Sequence, residues 1–144
     1  MDYRDDLDWI DYSPRGFNVH AGPFRIARLD EARFYMALEI EARHLNQGGV
    51  VHGGVSMTLA DNAMGMAAFY VGGERPASTI EFSCKLIAAA KHGSPLYGEA
   101  EVVRQTKDVA FVNAELWSGG RRTFLASGVW KYINPKGWGE RAVN

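Results

Sequence analysis

The chain has 144 residues, 47% apolar and 23% charged, which suits one domain with a substantial core. A formal net charge of −1 excludes a general polyanion-binding surface, so nucleic acid is not an expected partner. One cysteine, Cys84, excludes an intrachain disulfide framework and a cysteine-based zinc site.

The start of the chain is acidic and lacks the basic-then-apolar pattern of a secretory signal, and the longest apolar stretch is broken by Ser56, Thr58, Asp61 and Asn62. A cytoplasmic protein with no membrane partner is therefore expected. Residues 2–12 carry Leu7, Trp9, Ile10 and Tyr12 among acids, which predicts a short amphipathic helix closed by Ser13-Pro14. Phe17 to Gly22 reads as a loop. Phe24 to Leu29 alternates apolar and charged residues, and Phe34, Met36, Leu38 and Ile40 repeat every second position, so the two form an antiparallel hairpin.

Val55 to Val71 follows as a helix, free of internal proline and rich in Ala, Met and Leu. After the break at Gly72-Gly73 and Pro76, Ser78 to Leu86 reads as a strand. It places Ile80, Phe82, Cys84 and Leu86 on an apolar face and Thr79, Glu81, Ser83 and Lys85 on the other. Leu96 to Gln105, Val109 to Trp117 and Thr123 to Ile133 complete the strands, joined by hairpins. The order β-β-α-β-β-β-β predicts an α+β fold. A mostly antiparallel, curved sheet of about six strands wraps one long central helix. The whole of 1–144 reads as one domain, with an N-terminal arm over 1–16 and a loose tail over 134–144.

The stretch from Asn46 to Tyr70 carries the chemistry. Apolar residues occupy nearly every face of the helix, the pattern of a helix buried all round. Ala60, Ala63, Gly65, Ala67 and Ala68 are small enough for a sheet to wrap closely. Gly53-Gly54 lies just ahead of the helix, where free N–H groups and the positive dipole end suit an oxygen that gains charge. Asp61 lies seven residues after Gly54, roughly 10 Å along the axis, too far to act on an atom bound at its own helix start. A second helix packed antiparallel would bring each Asp61 to the other chain's glycines. An obligate homodimer with two shared sites is expected.

His52-Gly53-Gly54, with Asn46 six positions ahead and Asp61 after it, resembles the hotdog-fold thioesterases. More narrowly, it resembles the PaaI-like acyl-CoA thioesterases of phenylacetic acid pathways. The likeness runs from about Gly16 to Ile133. It implies that Asn46 and the Gly53 N–H polarise a thioester carbonyl, while Asp61 of the neighbouring subunit acts as general base or nucleophile. Thr79 falls where relatives place a hydroxyl that orients water, and His52 positions the loop and substrate. Gly54, Thr58 and Asn62 are expected substrate contacts. The resemblance further implies an acyl-CoA substrate, no separate cofactor, and a dimer able to pair into a tetramer.

Blander readings stand beside these. Asp61 also fits a structural acid, Asn46 a turn residue, and Cys84 core packing. His20, His44 and His92 show no ligand spacing, so no metal site is expected. Met57, Met64 and Met66 fit core packing or an acyl pocket, and Phe69, Tyr70, Phe82 and Tyr97 fit an aryl pocket or the core. Lys91, Arg104, Lys107, Arg121 and Arg122 fit solvated charge or contacts to coenzyme A phosphates. Two other activities suit the same scaffold: a non-catalytic acyl-CoA binder, and a hydratase or dehydratase. The latter would need a histidine working with an acid, and no second histidine is suitably placed.

Overall fold

Phe24–Arg28 (β2) and Arg33–Leu38 (β3) pair as the expected antiparallel hairpin. The computed structural model describes residues 1–12, 15–134 and 136. Strands Ala77–Leu86 (β4), Leu96–Gln105 (β5), Val109–Ser118 (β6) and Arg121–Tyr132 (β7) follow the central helix Gly53–Val71 (α2). Trp9–Ile10 (β1) adds a seventh strand, and the sheet runs β1-β2-β3-β5-β6-β7-β4, every pair antiparallel. Between β3 and β4 the chain must cross four strand spacings, roughly 19 Å. The 19 residues of α2 span roughly 28 Å, so the helix makes the crossing by lying over the sheet.

The packed face of α2 carries Leu59, Ala60, Ala63, Met64, Ala67 and Ala68, all fully buried. They meet Phe34, Met36, Leu38, Leu96, Leu116, Phe124 and Trp130 from the sheet. The helix is not covered all round as its composition suggested. Asp61, Asn62, Gly65, Met66 and Phe69 are only half-buried, and Met57 is 38% exposed. Among the described residues this second face is covered only in part, by Tyr12 and Asn18 at Asn62 and by Thr79 at Asp61.

The helix expected over 2–12 is not formed. Leu7 and Trp9 sit against Tyr35, Ala37 and Tyr97 on the sheet face opposite α2, while Ile10 and Tyr12 pack towards the main core. Alternating positions thus serve opposite sides, and the two-residue strand Trp9–Ile10 joins the sheet edge at β2. Tyr3 meets the Tyr97 ring edge-on at 5.4 Å, and Arg25 lies 3.8 Å over Trp9. The segment read as a loop before β2 holds a five-residue helix, Phe17–Ala21 (α1). The tail expected over 134–144 lies almost wholly outside the described residues.

The arm has a measurable signature. Burial pushes the Tyr35 hydroxyl up to about 12, so the folded state keeps a proton that the unfolded chain releases near 10. The Tyr35 contribution to stability is therefore full below pH 10 and is lost as pH rises from there towards 12. Denaturant midpoints measured at pH 9 and pH 11 should differ less in Tyr35→Phe than in the wild type. An equal loss in both would place the alkaline sensitivity elsewhere.

Candidate active site

Strand β4 corrects one sequence expectation in a way that builds the site. Strict alternation puts Thr79 on the face opposite Phe82 and Cys84. A bulge between Thr79 and Glu81 breaks that alternation: Thr79 pairs with Trp130 and Phe82 with Gly128. Ile80 is left out of the ladder and is 59% exposed rather than buried. Thr79, Phe82 and Cys84 consequently share the helix-facing side. Leu86 is also 53% exposed, because β4 is an edge strand with no neighbour beyond it. Phe82 and Cys84 pack at the margin of the core.

The Thr79 hydroxyl thereby donates to Asp61 Oδ1 at 2.8 Å. Asp61 stands between two cavities. One, of about 430 Å³, is bounded by Tyr12, Gly65, Met66, Phe69, Pro76 and Trp130. The other, of about 360 Å³, is bounded by Phe17, Asn18, Met57, Thr58 and Phe82. Asn62 borders both and is fully committed: it accepts from Tyr12 and Asn18, and donates to Asn18 and to the Thr58 carbonyl. Burial raises the Tyr12 hydroxyl above its ordinary value. The Asn18 donor works against this and the Asp61 charge adds to it, so the phenol stays protonated.

The other predicted residues gather at the start of α2. Asn46 Oδ1 accepts from the Gly48 N–H at 2.8 Å and the Val50 N–H at 3.3 Å, which shapes the loop. His52 caps the helix, its Nδ1 accepting from the Gly54 N–H at 2.9 Å. The Thr58 hydroxyl donates to the Gly54 carbonyl at 2.8 Å. With Gly54 engaged, the Gly53 N–H is the first donor of the helix without an acceptor among the described residues. Leu86 packs close to Gly53: a Cβ there would meet that side chain at 2.6 Å. His44, just before the loop, is buried, and its imidazole titrates below the usual range because of that burial.

One chain therefore holds Asp61 with Thr79 in one place, and in another the helix start capped by His52, preceded by the loop that Asn46 shapes. Eight helical positions, roughly 12 Å of rise, separate Asp61 from Gly53. Among the aromatic candidates, Phe69 and Phe82 border the two cavities. Tyr70 instead stacks on Phe34, and Tyr97 lies on the far side of the sheet beneath Tyr3. Tyr12, Asn18 and Trp130 were not foreseen at the site. The sequence pattern puts Tyr12 in a helix and Asn18 in a loop, whereas Tyr12 is not helical and Asn18 lies in α1, and only the register of β7 against β4 brings Trp130 opposite Thr79. Lys91 lies beside the loop through its pairing with Val50. Among the described residues no group of three or more His, Cys, Asp or Glu is placed to hold a metal, and no helix is long and apolar enough to cross a membrane.

The sequence pattern described as Thioesterase superfamily matches residues 48–125, more than half of the chain. The chain belongs to this superfamily. It is 35% identical over 109 residues to the Pseudomonas aeruginosa protein named "Putative esterase PA0474", covering 75% of this chain and 81% of that one. It is 25% identical over 114 residues to human acyl-coenzyme A thioesterase 13, covering 79% of this chain and 81% of the human one. A mutant of the phenylacetic acid degradation protein PaaI from Thermus thermophilus superposes with a TM-score of 0.72 at 25% identity. That match covers 81% of this chain and 98% of that one. The Streptococcus mutans protein smu.793, solved bound to acetyl CoA, superposes with a TM-score of 0.75 at 19% identity, covering 85% and 95%. The fold is the hotdog fold, and the protein is a PaaI-like thioester hydrolase.

Proposed function

We propose that the protein hydrolyses an acyl-CoA or aryl-acyl-CoA to the free acid and CoA, as a homodimer whose two sites are each shared between the chains. The observation that carries this reading is the placement of Asp61. It is held by Thr79 on the half-buried face of α2, between two cavities, and out of reach of the free N–H at its own helix start. An antiparallel second copy supplies the missing half, with Gly53 and Asn46 of one chain binding the thioester oxygen and Asp61 of the other beside it.

The chemistry follows from these groups. Asp61 acts as general base, taking a proton from water as the hydroxyl oxygen adds to the thioester carbon, or as nucleophile on the same carbon. In the general-base route the carbonyl oxygen becomes an oxyanion facing the Gly53 N–H and the Asn46 amide. Its collapse breaks the C–S bond, and CoA leaves as a thiolate that takes up the proton. Thiolate is a good leaving group, so no dedicated acid is required. Free thiol should appear when the protein is given a panel of short, medium, long-chain and aryl acyl-CoAs. Silence across the whole panel would favour a non-catalytic binder.

The symmetry makes a positional prediction. Placing position 61 opposite position 53 of the partner puts position 57 opposite itself, on the two-fold axis. Met57 is the exposed apolar residue at that position, and the edge strand β4 beside it leaves Ile80 and Leu86 uncovered. With Cys84 replaced by serine, a Met57→Cys variant should be captured as a covalent dimer by a short bifunctional thiol reagent. The same reagent on a cysteine at Glu31, in the turn between β2 and β3, should leave monomers on a denaturing gel. Equal capture at both positions would remove the antiparallel arrangement.

A further inference from the structure

We infer that His44 is a positioning residue for the carbonyl-binding half of the site: the Nδ1 lone pair of its neutral imidazole locks the turn that anchors both ends of the Asn46 loop. This rests on the assignment of Gly53 and Asn46 to the thioester oxygen. It adds a residue that acts on those two groups without touching the substrate.

The chain enters the loop through a single 3₁₀ turn, Ala42–His44. Two backbone bonds close that turn, from the His44 N–H to the Glu41 carbonyl at 2.9 Å and from the Leu45 N–H to the Ala42 carbonyl at 3.2 Å. So short a turn holds itself weakly. The His44 ring supplies a third bond, its Nδ1 accepting from the Glu41 N–H at 3.0 Å. The ring is 1% exposed, so water is not at hand to replace that acceptor.

The same residue closes the loop. Its carbonyl accepts from the His52 N–H at 2.9 Å. Inside that bond Leu45 pairs with Val51, and the Asn46 N–H donates to the Val50 carbonyl at 2.8 Å. Asn46 spends Oδ1 on the Gly48 and Val50 N–H groups, so its NH₂ end is the one able to reach a carbonyl oxygen. At the far end of the loop His52 caps α2 and sets the direction of the Gly53 N–H. A tilt of the turn at His44 therefore moves both donors together.

An acceptor at Nδ1 requires the tautomer with its proton on Nε2. That nitrogen is sealed without a bonded partner among the described residues, and the carbonyls of Gly22 and Ala21 are the polar groups on its side. Burial holds the ring below the ordinary histidine range. The Arg43 charge adds to this, and the Glu41 charge works against it. At neutral pH the lone pair is thus available, and a second proton on the ring would remove it.

Two variants separate the two nitrogens. Asparagine places an oxygen acceptor near the position of Nδ1, whereas glutamine reaches the position of Nε2 and leaves the Glu41 N–H unpaired. With the acyl-CoA that the wild type hydrolyses best, His44→Asn should keep kcat within about three-fold. His44→Gln should lower kcat by roughly ten-fold or more, with KM within about three-fold. A side chain that only fills the core would give equal rates or the reverse ranking, because glutamine is the closer match to histidine in volume. Either result would overturn the inference.

A second readout uses the wild type alone, labelled uniformly with ¹⁵N. At neutral pH the His44 ring should show an unprotonated Nδ1 and a protonated Nε2. As pH falls, the Asn46 and Gly48 amide signals should move with the midpoint of the His44 ring and not with that of the His52 ring, which is followed separately. The opposite tautomer, or amides that do not follow His44, would again overturn it. Absence of thiol release from every acyl-CoA would count against the hydrolytic site, while the ring and amide signals would still decide what His44 holds in place.

Discussion

Asp61→Asn is expected to lower kcat/KM for acyl-CoA hydrolysis by about 10³-fold or more, while acyl-CoA binding changes little. The substitution keeps an oxygen where Oδ1 stands, so Thr79 can still donate to it, and it keeps the volume of the side chain. What it removes is the charge and the lone pair that would take a proton from water or attack the thioester. A structural acid in this place would give a different result, because the amide preserves its hydrogen bond and activity would fall little. Thiol release and equilibrium binding measured on the same preparation separate the two outcomes. Activity within ten-fold of wild type would remove Asp61 from the chemistry. Single turnover in ¹⁸O-water then distinguishes the two roles left open for it. A general base sends the label directly into the acid product. A nucleophile attacked by water at its own carbonyl first delivers an unlabelled carboxylate oxygen.

The parts of this site that were legible in the sequence are those written in one continuous stretch. Asn46, His52, Gly53 and Asp61 lie on one loop and one helix, so spacing and helical rise alone place them, and they also separate Asp61 from Gly53. Hairpin periodicity likewise located β5 and β6 to within a residue. The failures share another cause, which is dependence on a neighbour. The face that Thr79 presents depends on a bulge, and a bulge is a property of a strand pair rather than of a strand. The exposure of Ile80 and Leu86 depends on β4 being last in the sheet. Leu7, Trp9, Ile10 and Tyr12 among acids predict a helix for the arm, yet these residues divide between two sides of the sheet edge. Met57 and Met66 fit core packing or an acyl pocket by composition alone, and the structure leaves Met57 exposed and Met66 half-buried on the second face of α2.

Gly53→Pro tests the other half of the site and the sharing of it together. Proline is tolerated at the first position of a helix, where its missing N–H has no intrahelical partner to lose. His52 already has the extended backbone, φ −62° and ψ 134°, that a following proline demands. The ring would press on Leu86, whose side-chain end is free to turn on an exposed strand edge. The helix should therefore survive, and the single change at the reaction centre is loss of one donor to the oxyanion. The expected cost is about 10²- to 10³-fold in kcat. Refolding this variant together with an equal amount of Asp61→Asn then decides whether the site spans two chains. Random pairing makes half of the dimers mixed, and each mixed dimer has one site carrying both lesions and one carrying neither. Activity should recover to about a quarter of wild type from two nearly inactive parents. If the carboxylate and the donor instead served a site within one chain, every site in the mixture would keep its single lesion, and mixing would restore nothing.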